Sequence, residues 1–383
     1  MVQKSRLRIV IAVAIVIAVS IVTILSIPSD TTIPIPEPTT TDNANQTNKG
    51  IRTIAQNLDI PWAIDIAEDN RIYFTEKHGR IRMIHANGTL MSEPVVTIRA
   101  EDIGDAGLLG LALHPNFTLN HLMYVYHTYV KNGGLNNKVL MLTERDNSIV
   151  DSKVILDNIP ASDSNNGGRI KFGPDGKLYV STGDSENPAL AQNTKSLAGK
   201  MLRINYDGTI PDDNPFLDSP VYSYGHRNIQ GFAWHPITKK LYASEHGPAG
   251  NDEINIIDPG SNYGSPFEEC NYSTSSTTMR FDTPVFCFNP AIAPSGLTIA
   301  TSDKLGYQND IIFTTLRGSH LHHIDLETRI QDNVLVGYGM LSDVMEASDG
   351  TLYVLTANRN VIGMGNANDD HILQIVQKKE KTR

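Results

Sequence analysis

One phrase returns six times in this 383-residue chain: a polar turn, then a short run of aromatic and β-branched residues. It reads EDNRIYFTE at 68–76, NHLMYVY at 120–126, PDGKLYV at 174–180, TKKLYA at 238–243, NDIIF at 309–313 and DGTLYV at 349–354. Asp-Gly and Asn-containing turns reverse the chain, and alternating large apolar residues after them suit a strand. The copies recur at intervals of roughly 40 to 70 residues, the size of a four-stranded unit with inserted loops. Such a unit cannot cover both of its own faces, so the units stack radially around a channel. The expected fold is therefore all-β, a six-bladed β-propeller. A pair of β-sandwiches is the alternative, but it does not account for one phrase written six times. The best helical candidate, residues 189–202, is short.

The propeller is expected to occupy residues 50–383. Ahead of it, residues 9–27 form an apolar run without charge, preceded by Lys4, Arg6 and Arg8. That is about the 20-residue length that spans a bilayer as a helix, and no clear small-residue cleavage site follows. The expectation is an uncleaved transmembrane anchor, with a cleaved signal and a secreted protein as the alternative. Basic residues 1–8 stay cytoplasmic, which places the propeller outside. Residues 28–49 are rich in Pro and Thr and poor in large apolar groups, the composition of a disordered linker.

Net charge of −10 argues against general nucleic-acid binding. The two cysteines, Cys270 and Cys287, lie beyond the apolar run, where an oxidising compartment favours a disulfide. No His- or Cys-rich zinc spacing, P-loop or dinucleotide fingerprint is present.

Polar residues concentrate in a few glycine-flanked segments, which is where sites rather than cores are built. Read from chemistry alone, Arg169, Arg203 and Arg227 are possible anion clamps. Glu245, Asp252 and Glu253 are possible ligands for a hard cation. His114 and His235, each before a proline, read as structural.

Taken together, the segments 61–84, GLLGLALHPNF (107–117), GGRIKFGPDGKLYVSTGD (167–184), LAGKMLRINYDGTIPDDNPF (197–216), YGHRNIQGFAWHP (224–236), EHGPAGNDEINII (245–257) and NYGSP (262–266) resemble, in order, the motifs of the soluble quinoprotein glucose/sorbosone dehydrogenases. The resemblance spans about residues 51–376. It implies a six-bladed propeller that binds pyrroloquinoline quinone (PQQ) with Ca²⁺ at one end of the channel and oxidises the anomeric carbon of a sugar to a lactone, passing electrons to an acceptor. By the same resemblance Asp105, Arg227, Asn228 and Arg317 would contact the quinone, and the backbone carbonyls of Gly247 and Pro248 would hold the calcium.

Two positions depart from the family pattern. Asn165 stands where the family has its catalytic histidine, and an amide cannot accept a proton at neutral pH. The residues Met340, Leu341 and Ser342 stand where the family has an Arg-x-Arg run that meets the PQQ carboxylates. The resemblance thus implies a sugar dehydrogenase, with a non-catalytic propeller that binds a glycan or a protein as the alternative.

Overall fold

The structure, a computed structural model, describes residues 49–248, 250–268, 270, 280–360 and 370–377. The apolar run at 9–27, expected to cross a membrane, and nearly all of the linker lie outside these residues. Among the described residues no helix is long and apolar enough to cross a membrane.

The first strand, β1 (Lys49–Ala55), pairs antiparallel with the last, and so ties the two ends of the described chain into one sheet. Between them five blades follow in order, each an antiparallel four-stranded meander. Blade 1 is β2 (Pro61–Ile66), β3 (Ile72–Glu76), β4 (Arg80–Ile84) and β5 (Val96–Thr97). Blade 2 is β6 (Leu108–Leu113), β7 (Leu122–Lys131), β8 (Gly134–Arg145) and β9 (Ser148–Pro160). Blade 3 is β10 (Gly167–Phe172), β11 (Leu178–Thr182), β12 (Lys200–Ile204) and β13 (Val221–Tyr224). Blade 4 is β14 (Ile229–Trp234), β15 (Leu241–Glu245), β16 (Asp252–Ile257) and β17 (Phe286–Phe288). Blade 5 is β18 (Pro294–Ile299), β19 (Ile311–Thr315), β20 (His320–Ile324) and β21 (Gln331–Val336). Blade 6 is β22 (Leu341–Glu346), β23 (Leu352–Thr356), β24 (Ile372–Gln377) and β1. The fold is a six-bladed β-propeller.

The recurring phrase is the entry to the second strand of every blade: β3, β7, β11, β15, β19 and β23. These strands are sandwiched between neighbouring blades, and β3, β11, β15 and β19 are buried along their whole length. That is why large apolar residues occupy successive positions there instead of alternating with polar ones. The helical candidate at 189–202 is corrected. Only Ala189–Gln192 is helical, and from Lys200 the chain is already strand β12. Gly199, at φ +67°, makes the turn between them.

The six innermost strands, β2, β6, β10, β14, β18 and β22, surround the axis so tightly that some positions exclude a side chain. A β-carbon at Gly110 would lie 2.2 Å from the carbonyl oxygen of Gly168, and one at Gly231 the same distance from that of Ser295. Each innermost strand also slips register against its neighbour close to its start, between Pro61 and Ile64, Leu108 and Leu111, Gly167 and Ile170, Ile229 and Gly231, Pro294 and Leu297, and Leu341 and Asp343. Bulges re-aim side chains and are frequent beside active sites. Here they all fall at one end of the channel. The loops that lead into innermost strands and the loops that leave second strands open on that same end.

The opposite mouth opens into a cavity of 260 Å³ lined by Asp65, Leu113, His114, Lys171, Phe172 and Met345, among others. Burial pushes the Asp65 carboxyl up to about 6 from an ordinary 3.8, although the amides of Leu113 and Ile66 and the charge of Lys171 pull the other way. The folded protein therefore holds this proton more tightly than the unfolded chain does. As pH rises from 3.8 through 6, ionisation of Asp65 withdraws up to about 3 kcal/mol of stability, and acidification over that window restores it. Carboxyl-carbon NMR is expected to give Asp65 a midpoint near 6, and a midpoint near 4 would contradict this account.

Candidate active site

Asn165 lies in the loop entering β10 in a left-handed conformation, φ +54°, which asparagine tolerates better than most residues. It is buried, and its Nδ2 donates to Oδ1 of Asp184 at 3.0 Å. Asp184 follows β11 and is 1% exposed. Its Oδ1 also accepts the Glu186 amide at 3.0 Å, and its own amide donates to the Arg227 carbonyl at 2.8 Å. Burial raises the Asp184 carboxyl above the usual range, against the opposing pull of the Asn165 amide and the Arg227 charge.

Blade 4 supplies the other side. Arg227 and Asn228 lead into β14, and Asn228 Oδ1 accepts the Gly167 amide at 2.9 Å, bridging to blade 3. The Arg227 guanidinium donates through Nη1 to the carbonyls of His246 at 3.1 Å and Gly247 at 3.2 Å. The His246 amide donates to the Asn228 carbonyl at 3.0 Å. His246 has its pKa lowered, mainly by burial, and Asp105 is close enough to oppose that shift electrostatically. Asn165, Asp184, Arg227, Asn228, His246 and Gly247 thus form one connected network, with Asp105 facing it from the loop entering β6. Arg317, after β19, is exposed, and none of these residues bonds to it.

Several residues singled out for their chemistry have other duties. The acidic cluster is not a cation cage. Both oxygens of Glu245 are engaged, Oε1 by the Arg227 amide and Oε2 by His226 Nδ1 at 2.9 Å. Asp252 caps the backbone amides of Gly247 at 3.1 Å, Ile292 at 2.8 Å and Ala293 at 2.7 Å. Glu253 accepts from Asn255 Nδ2 at 3.1 Å. These carboxylates shape the loop after β15 and hold the Gly247 carbonyl towards Arg227. Arg203 is paired with Asp175 at 2.9 Å and Asp213 at 2.8 Å, away from the site face. Arg169, on β10, is buried on the axis and its guanidinium is bonded to three other innermost strands, so it is not available to a ligand. His114 and His235 do act locally, accepting nearby backbone amides. Cys270 and Cys287 form a disulfide.

The two departures have physical consequences. Met340 packs against an apolar cluster that includes Ile60, Trp62, Leu316 and Ala357, so this sector of the site face is apolar. Ser342 is fully buried and donates to the Pro61 carbonyl at 2.6 Å, which joins blade 6 to blade 1 and leaves no room for a long cation. His320 and His322 do not replace the missing cations: they bond to each other at 3.0 Å within β20. What remains that suits an anionic, carbonyl-bearing ring is the pair Arg227 and Asn228. Positions 340 and 342 add nothing to that pair. Among the described residues no cluster of three or more His, Cys, Asp or Glu could hold a metal ion, and the Gly247 carbonyl is engaged by the Arg227 guanidinium at 3.2 Å.

The sequence reading did not single out Asp184, although it closes one of the motif segments. The signal was its place at the end of the segment that opens with the Gly-Gly-Arg run, but only the blade geometry brings it against Asn165, 19 residues earlier.

Comparison with known proteins identifies the family. Residues 58–362 match the glucose/sorbosone dehydrogenase family model. The aldose sugar dehydrogenase YliI of Escherichia coli is 30% identical over 80% of this chain and 89% of its own length. The uncharacterized protein slr1608 of Synechocystis is 34% identical over 85% of this chain and 88% of its own. The PQQ-bound aldose sugar dehydrogenase of Streptomyces coelicolor superposes with a TM-score of 0.77 at 33% identity, covering 86% of this chain and 98% of that one. A propeller built this way, with this order of motifs and these relatives, belongs to the glucose/sorbosone dehydrogenase family of oxidoreductases.

Proposed function

We propose that this protein is a PQQ- and Ca²⁺-dependent aldose dehydrogenase, anchored by its N-terminal apolar run and working outside the cytoplasm. The observation that carries this reading is the continuous network from Asn165 through Asp184, Arg227 and Asn228 to Gly247 at the bulged end of the channel. When bound, the quinone supplies a two-electron acceptor for the sugar's anomeric C–H. The chain's residues do the positioning. Arg227 and Asn228 would hold the polar edge of the ring, the exposed Arg317 would approach it from blade 5, and the carbonyls of Gly247 and Pro248 would take the cation. Asp105 and Asn165 line the space left for the sugar.

Calorimetric titration of the full chain in detergent with PQQ and Ca²⁺, followed by dye reduction with aldoses, tests the proposal. Absence of PQQ binding at micromolar concentration would sink it. The substitutions at 165, 340 and 342 favour a second reading, a propeller that binds glycans through the same face without turning them over. Sugar binding without PQQ binding in the same titrations would select that one.

Affinity for PQQ is expected to be weak, because the ligand's carboxylates meet Met340 in place of a cation. Met340→Arg restores a charged hydrogen-bond donor at a half-buried position. It should tighten PQQ binding by about 1.5 kcal/mol, roughly tenfold. An unchanged dissociation constant would mean that this sector does not face the quinone.

A further inference from the structure

The loss of a histidine at position 165 leaves the sugar dehydrogenase reading without an obvious proton acceptor, and the structure offers one. Asp184, just after β11, is hydrogen-bonded to Asn165 at 3.0 Å. Both of its identified donors, Asn165 Nδ2 and the Glu186 amide, engage Oδ1. No described residue donates to Oδ2, and that oxygen is not among the sealed, unpartnered polar atoms of the interior. One oxygen is thus fixed while the other has no identified donor, in a residue that is 1% exposed and lies beside Arg227, so the sugar would meet it through a narrow opening. We propose that Asp184 is the general base of this protein, with Asn165 as the residue that positions it.

The inference rests on the dehydrogenase reading. In the step it describes, the anomeric O–H bond breaks and its proton passes to Oδ2 of Asp184. The C1–H bond breaks with its electron pair, and the bound quinone would accept that hydride. The sugar is oxidised to the lactone by two electrons and the quinone is reduced by the same two. Asn165 keeps the carboxylate from rotating by holding Oδ1. Charged groups bear on Asp184 from three loops. Arg227 favours its ionised form, whereas Glu245 opposes it. Glu186, which is turned to Asp163, is of like charge and lies two residues along. The raised carboxyl brings the base closer to working pH, the direction that general-base catalysis favours.

The test uses the full chain in two states. In protein loaded with PQQ and Ca²⁺, Asp184→Asn is expected to leave PQQ affinity within about threefold and to slow quinone reduction by glucose about 10²- to 10⁴-fold in a single turnover. Asp184→Glu should recover part of that loss, which a purely structural role would not predict. In cofactor-free protein, carboxyl-carbon NMR should show one carboxyl that titrates above the ordinary range, vanishes in Asp184→Asn, and moves when glucose is added. Wild-type reduction rates in Asp184→Asn, or a carboxyl resonance indifferent to glucose, overturn the assignment. If the wild type fails to bind PQQ, the dehydrogenase reading falls by itself, and the response of the resonance to glucose still decides whether Asp184 faces the sugar.

Discussion

Replacing Asp343 by alanine is expected to destabilise the propeller by about 3–5 kcal/mol, the largest loss foreseen for a single substitution here. The reason lies at the axis. Arg169 reaches from β10 to the Asp343 carboxylate at 2.8 Å, the Trp62 carbonyl at 3.0 Å, the Ser342 carbonyl at 3.1 Å and the Gln230 carbonyl at 3.0 Å. One guanidinium therefore ties together blades 1, 3, 4 and 6. Asp343 Oδ2 also accepts the Ile64 amide at 3.1 Å. Alanine would strand a cation that is 2% exposed and leave a backbone donor without its partner. Removing one member of a buried pair is far more damaging than replacing both with apolar groups. Denaturant titration should show a lower midpoint with an unchanged slope. Arg169→Met combined with Asp343→Leu should lose less than Asp343→Ala alone. A double substitution as damaging as the sum of its parts would show that the stranded charge is not the cause.

Asn165→His should raise turnover with glucose about 10²-fold in protein loaded with PQQ and Ca²⁺. A positioned general base contributes about 10² to 10⁴, and Asp184 already supplies part of that, so the gain belongs at the lower end. The site is ready for the ring. Histidine, like asparagine, is enriched at positive φ. One imidazole N–H would replace the Asn165 amide as donor to Asp184 Oδ1, and the other nitrogen would accept the sugar proton. The pH profile should acquire a limb near the ordinary histidine value of about 6.5, moved upward by the neighbouring carboxylate. Steady-state kinetics across pH 5 to 9 would read both effects. No gain, with PQQ still bound, would mean that position 165 does not face the reacting carbon.

The fold was readable because its signal is local. A turn followed by a strand buried on both faces needs only neighbouring residues, so it left the same phrase in every blade. The network around Arg227 and Asn228 was readable for a similar reason, since glycine-flanked polar turns sit badly in a core. The carboxylates of Glu245, Asp252 and Glu253 misled because a cation ligand and a backbone cap have the same chemistry in sequence. Which donors reach them is decided by strands brought together from elsewhere, as with the Ile292 and Ala293 amides on Asp252.

By itself the sequence determined the blade number, the order of the motifs and the altered residues at 165, 340 and 342. These follow from side-chain size, turn chemistry and residue identity, all of which are carried along the chain. The tertiary structure decided that Arg169 is a tie rather than a clamp, that Ser342 closes blade 6 on blade 1, and that Asp184 bonds to Asn165. The first two depend on contacts between blades, with residues as far as 281 positions apart in the chain, and the third on the folding of one blade. Burial and hydrogen-bond partnership set the role of an ionisable group, and both exist only once the ring has closed.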